Sequence, residues 1–473
     1  MSAADDLLAR QRAAFLREAR PDAAARRAAL AALATALRTH EAALIAAVDA
    51  DFGGRPAAET RLLELLPLYD QIGHARRHLG RWMRRRRAAG SPFLWPARAF
   101  WEHQPLGVVG VIGAWNYPVL LTLGPAVDAI AAGNRVVLKP SELAPRTAEA
   151  LAALVAYAFP PERVAVVTGG VEVARAFSAL PWDHLVFTGS TAVGRQVMAA
   201  AAANLTPVTL ELGGKSPAIL HDSADLSRAV GRLMTGKLFN AGQTCVAPDY
   251  ALVPPARIPA FEAEAARAVR RLFPNGLTDD YTRIVTDRHL DRLRGLVEEA
   301  RDRGARVVQL APVPEGANGR IMPPTLVIDP APDSRLMTEE IFGPILPVIP
   351  CGTLDAALEF VNARPRPLAL YYFDDDRARQ DRVLAGTMSG GVTFNDTIFH
   401  LAQLNLPFGG VGDSGMGGYH GPDGFAQFSK KRPVMVQAHW AATGLIRPPW
   451  GGRRRLIGAL LAAARRLAGA SRE

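Results

Sequence analysis

Cysteine is nearly absent: the chain has two, Cys245 and Cys351, in 473 residues. Two thiols so far apart cannot form a disulfide framework, which fits a reducing compartment. A leader peptide is not expected either, because Asp5 and Asp6 stand where its basic region belongs and no apolar core follows. No apolar run reads as long enough for a membrane span. The expected location is the cytoplasm. Lysine is scarce as well, five residues against fifty arginines, so the net charge of +10 is an arginine excess. All of that excess sits in Arg76, Arg77, Arg81, Arg84, Arg85, Arg86 and Arg87 and in a tail from Arg447 to Glu473; the remainder is slightly acidic. Basic blocks of this kind are more often solvated or structural faces than polyanion sites. With no aromatic–basic interleaving and no zinc-finger spacing, neither nucleic-acid binding nor a metal site is expected.

What is present is enough apolar sequence for two or three domains. Apolar spacing predicts helices over about 5–52 and 59–83. Buried strands are then expected at Val108 to Ile112, Arg135 to Leu138, Val164 to Thr168 and His184 to Phe187, with helices between them. Strand alternating with helix argues for a parallel α/β sheet. After Glu211 the alternation restarts, with strands near 216–220, 251–253, 307–310, 345–349, 370–373 and 391–394 and a helix from about Asp225 to Phe239. The loop from Leu406 to Gly418 is so rich in glycine that it reads as close backbone packing, not an extended lid.

Three stretches carry chemistry. In Phe239-Asn-Ala-Gly-Gln-Thr-Cys245, Cys245 is either a small buried hydrophobe or, once ionised, a strong nucleophile. Glu211, in Thr209-Leu-Glu-Leu-Gly-Gly214, is either a solvated strand-end charge or a base that activates water. Asn116 follows the strand at Val108 to Ile112, where ligands bind in open sheets, and is either a turn residue or an amide aimed at a ligand oxygen. The turn Gly189-Ser190-Thr-Ala-Val-Gly194 offers backbone N–H groups at a helix start, an anion site. It lacks the Lys-Ser/Thr of a triphosphate loop, because Arg195 and Gln196 follow. Lys139, Ser141 and Glu142 stand at a neighbouring strand end, where Lys139 and Glu142 can bridge ribose hydroxyls.

Taken together, Leu138-Lys-Pro-Ser-Glu142, Phe187-Thr-Gly-Ser-Thr191, Glu211-Leu-Gly-Gly-Lys215, Gly242-Gln-Thr-Cys245, Glu340-Ile-Phe-Gly-Pro344 and Pro407-Phe-Gly-Gly410 resemble the aldehyde dehydrogenase superfamily, in its order and spacing. The resemblance spans roughly Gln11 to Val436. Asn116-Tyr-Pro118, Ala247-Pro-Asp-Tyr250 and Ser414-Gly-Met-Gly417 are similar to its class 3 branch, which includes fatty and aromatic aldehyde dehydrogenases. Gly242 to Tyr250, Phe399-His400 and Ser429-Lys-Lys-Arg-Pro433 most resemble the bacterial coniferyl aldehyde enzymes of that branch.

The resemblance implies a Rossmann-like cofactor domain at 1–98 and 106–211 and an α/β catalytic domain at 212–424. It implies a bridging element at 99–105 and 425–445, which leaves a basic amphipathic tail at 446–473. It also implies NAD(P)-dependent oxidation of an apolar aldehyde to its acid, with Cys245 as nucleophile, Asn116 holding the oxyanion and Glu211 activating water. Lys139, Ser141, Glu142, Gly189, Ser190, Gly194, Leu212, Gly213, Glu340 and Phe342 would hold the cofactor. NAD is expected because a carboxylate at Glu142 repels a 2′-phosphate, although the superfamily also contains NADP users. Tyr117, Phe399, His400 and Phe408 are candidates for an aldehyde pocket, and a homodimer is expected. Relatives that pass the acyl group to coenzyme A usually lack the carboxylate matched by Glu211; a non-catalytic binding protein is the other alternative. In the tail, Leu456, Ile457, Leu460, Leu461, Ala464 and Leu467 share a helical face. They are expected to pack on the chain's own subunit or a partner, or to lie on an anionic membrane surface.

Overall fold

The computed structural model describes residues 3–18, 20–90, 94–314, 319–441, 443–444 and 447–469. They form two compact units, Met1–Leu79 with Pro105–Ser429 and Gly80–Gln104 with Lys430–Glu473.

Short, almost wholly apolar runs are what strands covered on both faces require, and the larger unit uses them in two sheets. The first has six strands in the order Gly415–Met416, Val208–Leu212, His184–Gly189, Val108–Ile112, Arg135–Lys139, Val164–Val166. All are parallel except the first, which pairs antiparallel with Val208–Leu212. Its core is built from Val108, Ile112, Val137, Phe177, Trp182, Leu185 and Leu210. The second sheet has seven strands in the order Arg306–Gln309, Thr325–Ile328, Ile345–Pro350, Tyr250–Val253, Pro217–Leu220, Ala369–Phe373, Gly391–Phe394. Here only the Arg306–Gln309 edge runs antiparallel. Thr325–Ile328 was not anticipated: its four buried residues follow Pro323-Pro324 and end at Asp329, whose φ is 54°. Prolines on one side and a turn on the other hide so short a strand.

The expected N-terminal helix is two, Ala3–Arg17 and Ala23–Phe52. Pro21 breaks the run, and Asp22 caps the second helix by accepting a hydrogen bond from Ala25 N at 2.8 Å. Ala23–Phe52 corrects one expectation: by length and composition it is long and apolar enough to cross a membrane. In the fold it is a packing helix, with Leu30, Leu33, Leu37, Leu44, Val48 and Phe52 buried and its flank against Pro145–Ala158.

In the smaller unit, Arg86–Ala88, Arg98–Pro105 and Ser429–Val436 make a three-stranded sheet. Part of the arginine block is structural there. Arg85 donates to Glu102 at 2.9 Å and lies over Phe100. The tail forms the helix Arg454–Gly469. Along it every described side chain except the half-buried Leu460 is exposed. The side chain of Leu467 lies outside the described residues.

Candidate active site

The nucleophile loop begins where the helix Leu226–Leu238 ends. Asn240, Ala241 and Gly242 then take φ values of 53°, 50° and 76° in succession. A left-handed conformation costs a non-glycine residue about 1 kcal/mol or more, so the loop needs anchors. Asn240 Nδ2 donates to the carbonyls of Asn116 (2.8 Å) and Gln243 (3.1 Å). Its backbone N–H donates to Glu59 at 2.6 Å. Gln243 donates to Asn240 O and Arg283 O and accepts from Val285 N, all near 3 Å. The Asn-x-x-Gln spacing is therefore the clamp that presents Cys245.

Asn116 is tied to the same clamp. Its Nδ2 donates one hydrogen to Gln243 O at 3.1 Å, leaving the second for the cavity it lines. Its carbonyl accepts from the buried Arg55 at 3.1 Å. Arg55 lies 3.1 Å from buried Glu64, whose other oxygen accepts from Val119 N (2.8 Å) and Leu120 N (3.0 Å). Those N–H groups open the helix Leu120–Ala132, whose N-cap residue Val119 supplies no side-chain cap. Arg55 and Glu64 thus brace both ends of the segment carrying Asn116. Neither was singled out in the sequence, since nothing in Gly53-Gly-Arg-Pro56 marks a buried cation.

Glu211 sits on the strand Val208–Leu212, opposite Gly415. A Cβ on Gly415, at φ 144°, would lie 2.1 Å from Leu210 O, so the glycine-rich loop can lie against this strand only as glycine. Glu211 is buried, neither carboxylate oxygen has a hydrogen-bond partner among the described residues, and burial holds its carboxyl well above the usual range. The solvated strand-end reading is thereby excluded.

One cavity of about 1040 Å³ collects these groups. Asn116, Ser141, Glu142, Gly189, Ser190, Glu211, Leu212, Gly213, Cys245, Glu340 and Phe342 all line it. Cys245 is partly exposed, and protein encloses its thiol. Burial, then the carboxyls of Glu340 and Glu211, push the thiol up to about 12, while its own backbone N–H and that of Val246 pull the other way. Burial pushes Glu340 up to about 8. Glu340 accepts from Gly214 N at 3.1 Å, and a Cβ on Gly213 would lie 2.0 Å from its Oε2. Only glycine at 213 lets this carboxyl lie against the backbone. Phe342 takes a φ of 53°, with its ring centroid 5.3 Å from that of Trp115.

Lys139 is buried beside the cavity and donates to Glu142 at 2.6 Å. Burial alone would raise Glu142, but this hydrogen bond and the ammonium charge hold it below the ordinary carboxylate range. Ser141 Oγ accepts from Leu143 N, and Ser190 caps the helix Thr191–Ala202. Gly194 is not among the lining residues and packs against Leu212. The candidate aldehyde-pocket residues are not brought to this cavity. Tyr117 is buried, 2.6 Å from Thr244 Oγ1 and under the Arg55 guanidinium. His400 bonds Thr393 at 3.0 Å, and burial lowers its ring to about 4. Phe408 stacks on His420, and Phe399 is half exposed beside Phe239, ring centroids 6.3 Å apart. Cys351, away from all of this, donates to Thr353 O.

The cavity also holds groups that no motif announced: Arg175, Arg288, His289, Arg292 and Arg335. Arg288, His289 and Arg292 come from one helix, Asp287–Asp302, for which the Thr286 N-cap was the available signal. The residues fit a nicotinamide dinucleotide. Cations and a helix start at Ser190 suit a diphosphate. The Lys139–Glu142 pair suits ribose hydroxyls, and Glu211, Glu340 and Cys245 would each be eased by a neighbouring positive ring. Among the described residues no three His, Cys, Asp or Glu side chains are grouped to hold a metal ion.

Comparison with known proteins agrees with this geometry. Residues 2–434 match the aldehyde dehydrogenase family model. A probable coniferyl aldehyde dehydrogenase of Pseudomonas aeruginosa is 52% identical over 448 residues, 94% of this chain and 93% of that protein. A substrate-bound Staphylococcus aureus AldH structure superposes with a TM-score of 0.92 at 35% identity, covering 98% of this chain and all of that one. A Mycobacterium tuberculosis aldehyde dehydrogenase complexed with NAD+ gives 0.84 at 30% identity, covering 93% and 92%.

Proposed function

The chain belongs to the aldehyde dehydrogenase family, and on that premise we propose that it oxidises aromatic aldehydes of the coniferyl type to their acids, with NAD in preference to NADP. The observation that carries the hydrolytic reading is the convergence of Cys245 with the buried, unpartnered carboxyl of Glu211 on one cavity. Cys245 Sγ attacks the aldehyde carbon and gives a thiohemiacetal. The oxyanion accepts hydrogen bonds from the free Nδ2 hydrogen of Asn116 and the Cys245 backbone N–H. The nicotinamide, when bound, supplies the hydride acceptor. Loss of hydride leaves a thioester on Cys245, and Glu211 takes a proton from the water that cleaves it. A carboxyl with no partner to satisfy is free to hold and release that proton.

The aromatic preference rests on the name carried by the Pseudomonas aeruginosa relative. Charged Glu142 beside the ribose site supports NAD. A homodimer is supported by the exposed edge strand Ser429–Val436, which leaves backbone groups for a second copy.

The test is turnover with NAD and coniferyl aldehyde, compared with a medium-chain alkanal. Faster oxidation of the aromatic aldehyde supports the proposal, and faster oxidation of the alkanal moves the substrate to the fatty class. Silence until coenzyme A is added favours the acylating alternative. Silence with every aldehyde and both cofactors favours a binding protein.

A further inference from the structure

The helix Arg454–Gly469 plays no part in the cavity. Wound at 100° per residue, Leu456, Ile457, Leu460, Leu461 and Ala464 fall within one arc, and Arg454, Arg455, Arg465 and Arg466 fall on the opposite one. The apolar arc is uncovered, with Leu456 39%, Ile457 37% and Leu461 50% exposed. Between Arg447 and Gly469 there are six arginines and no acid. The smaller unit also exposes Trp450, just ahead of the helix, and the contacting pair Trp95 and Trp440.

We propose that this helix lies in the surface of an anionic phospholipid bilayer, apolar arc toward the acyl chains and arginines among the headgroups. Charge selects this occupant. A second copy of the helix would bring four more arginines to the same place with no acid to meet them. A polyanion such as nucleic acid would satisfy the arginines and leave the leucines and tryptophans in water. An anionic bilayer meets both arcs, and tryptophan favours the headgroup level. The helix cannot cross the bilayer: sixteen residues rise roughly 24 Å, short of the hydrocarbon core.

The test is co-sedimentation of the full-length protein with vesicles of phosphatidylcholine alone or mixed with phosphatidylglycerol, at low and high salt. Two variants accompany it: Leu456→Gln/Ile457→Gln/Leu461→Gln on the apolar arc and Arg454→Gln/Arg455→Gln/Arg465→Gln/Arg466→Gln on the basic one. Unchanged aldehyde turnover in both variants verifies that they fold. The expected result is at least tenfold stronger binding to the anionic vesicles, weakened by salt and lost in each variant. Failure of the wild type to bind either vesicle overturns the proposal. Binding that survives loss of the apolar arc and is competed by DNA reassigns the helix to polyanions. Self-association abolished by the apolar-arc variant reassigns it to a second copy.

Discussion

Replacing Arg55 by Met removes the one cation 3.1 Å from a carboxyl that burial already raises. Glu64 then has only Val119 N and Leu120 N to hold its charge. A carboxyl left in that position takes up a proton instead of staying ionised. Holding a proton on a group whose ordinary value is 4.5 costs about 1.4 kcal/mol per pH unit above that value, which sets a ceiling of about 3.4 kcal/mol at pH 7 and about 2 kcal/mol at pH 6 on the difference from wild type, whose own Glu64 burial already raises. The variant's folded state binds a proton that the unfolded state releases, so its stability deficit grows as pH rises above 4.5 and shrinks as pH falls toward it. Denaturant unfolding of wild type and Arg55→Met from pH 5.5 to 7.5 measures this. Adding Glu64→Gln removes the buried carboxyl, and the double variant is expected to recover most of the loss and to lose the pH dependence that Arg55→Met adds. The Asn116 carbonyl also loses one of its two donors and keeps Asn240 Nδ2, so kcat falls about tenfold while KM changes little. A loss independent of pH, or no recovery in the double variant, refutes the reasoning.

Because burial holds the Cys245 thiol near 12, its alkylation by iodoacetamide without cofactor is slow at pH 7 and rises about tenfold per pH unit to pH 10; a pH-independent rate contradicts this. NAD brings a positive ring into the cavity and is expected to speed that alkylation at fixed pH. Gly213→Ala forces a methyl group against Glu340 and weakens NAD binding about tenfold or more, read as quenching of Trp115 fluorescence; unchanged affinity rejects the close-approach argument. Glu142→Gln removes a carboxylate that faces a 2′-phosphate and shifts the NADP-to-NAD ratio of kcat/KM upward about tenfold; an unchanged ratio places the discrimination elsewhere.

The parallel sheets were legible because Val108–Ile112, Arg135–Lys139 and Ala369–Phe373 are nearly uninterrupted apolar runs. The chemical loops were legible because close backbone approach demands glycine and the Cys245 clamp demands its Asn and Gln. Thr325–Ile328, four residues long and fenced by proline, left no periodicity to read. Arg55 and Glu64 were opaque for another reason: a buried ion pair is created by tertiary packing, and each residue alone looks like ordinary surface charge. Arg288, His289 and Arg292 share that difficulty, since only folding brings their helix to the cavity. Tyr117, His400 and Phe408 show the converse, aromatics near motifs whose side chains the fold spends on internal contacts.

The proposed role of Glu211 comes after that of Cys245, on the thioester. A single-turnover experiment with Glu211→Gln, NAD and coniferyl aldehyde tests it, following reduced cofactor by absorbance and the mass of the quenched protein. The expected result is one reduced cofactor per chain, then a stall, with the acyl group retained on Cys245. Full steady turnover by Glu211→Gln contradicts it.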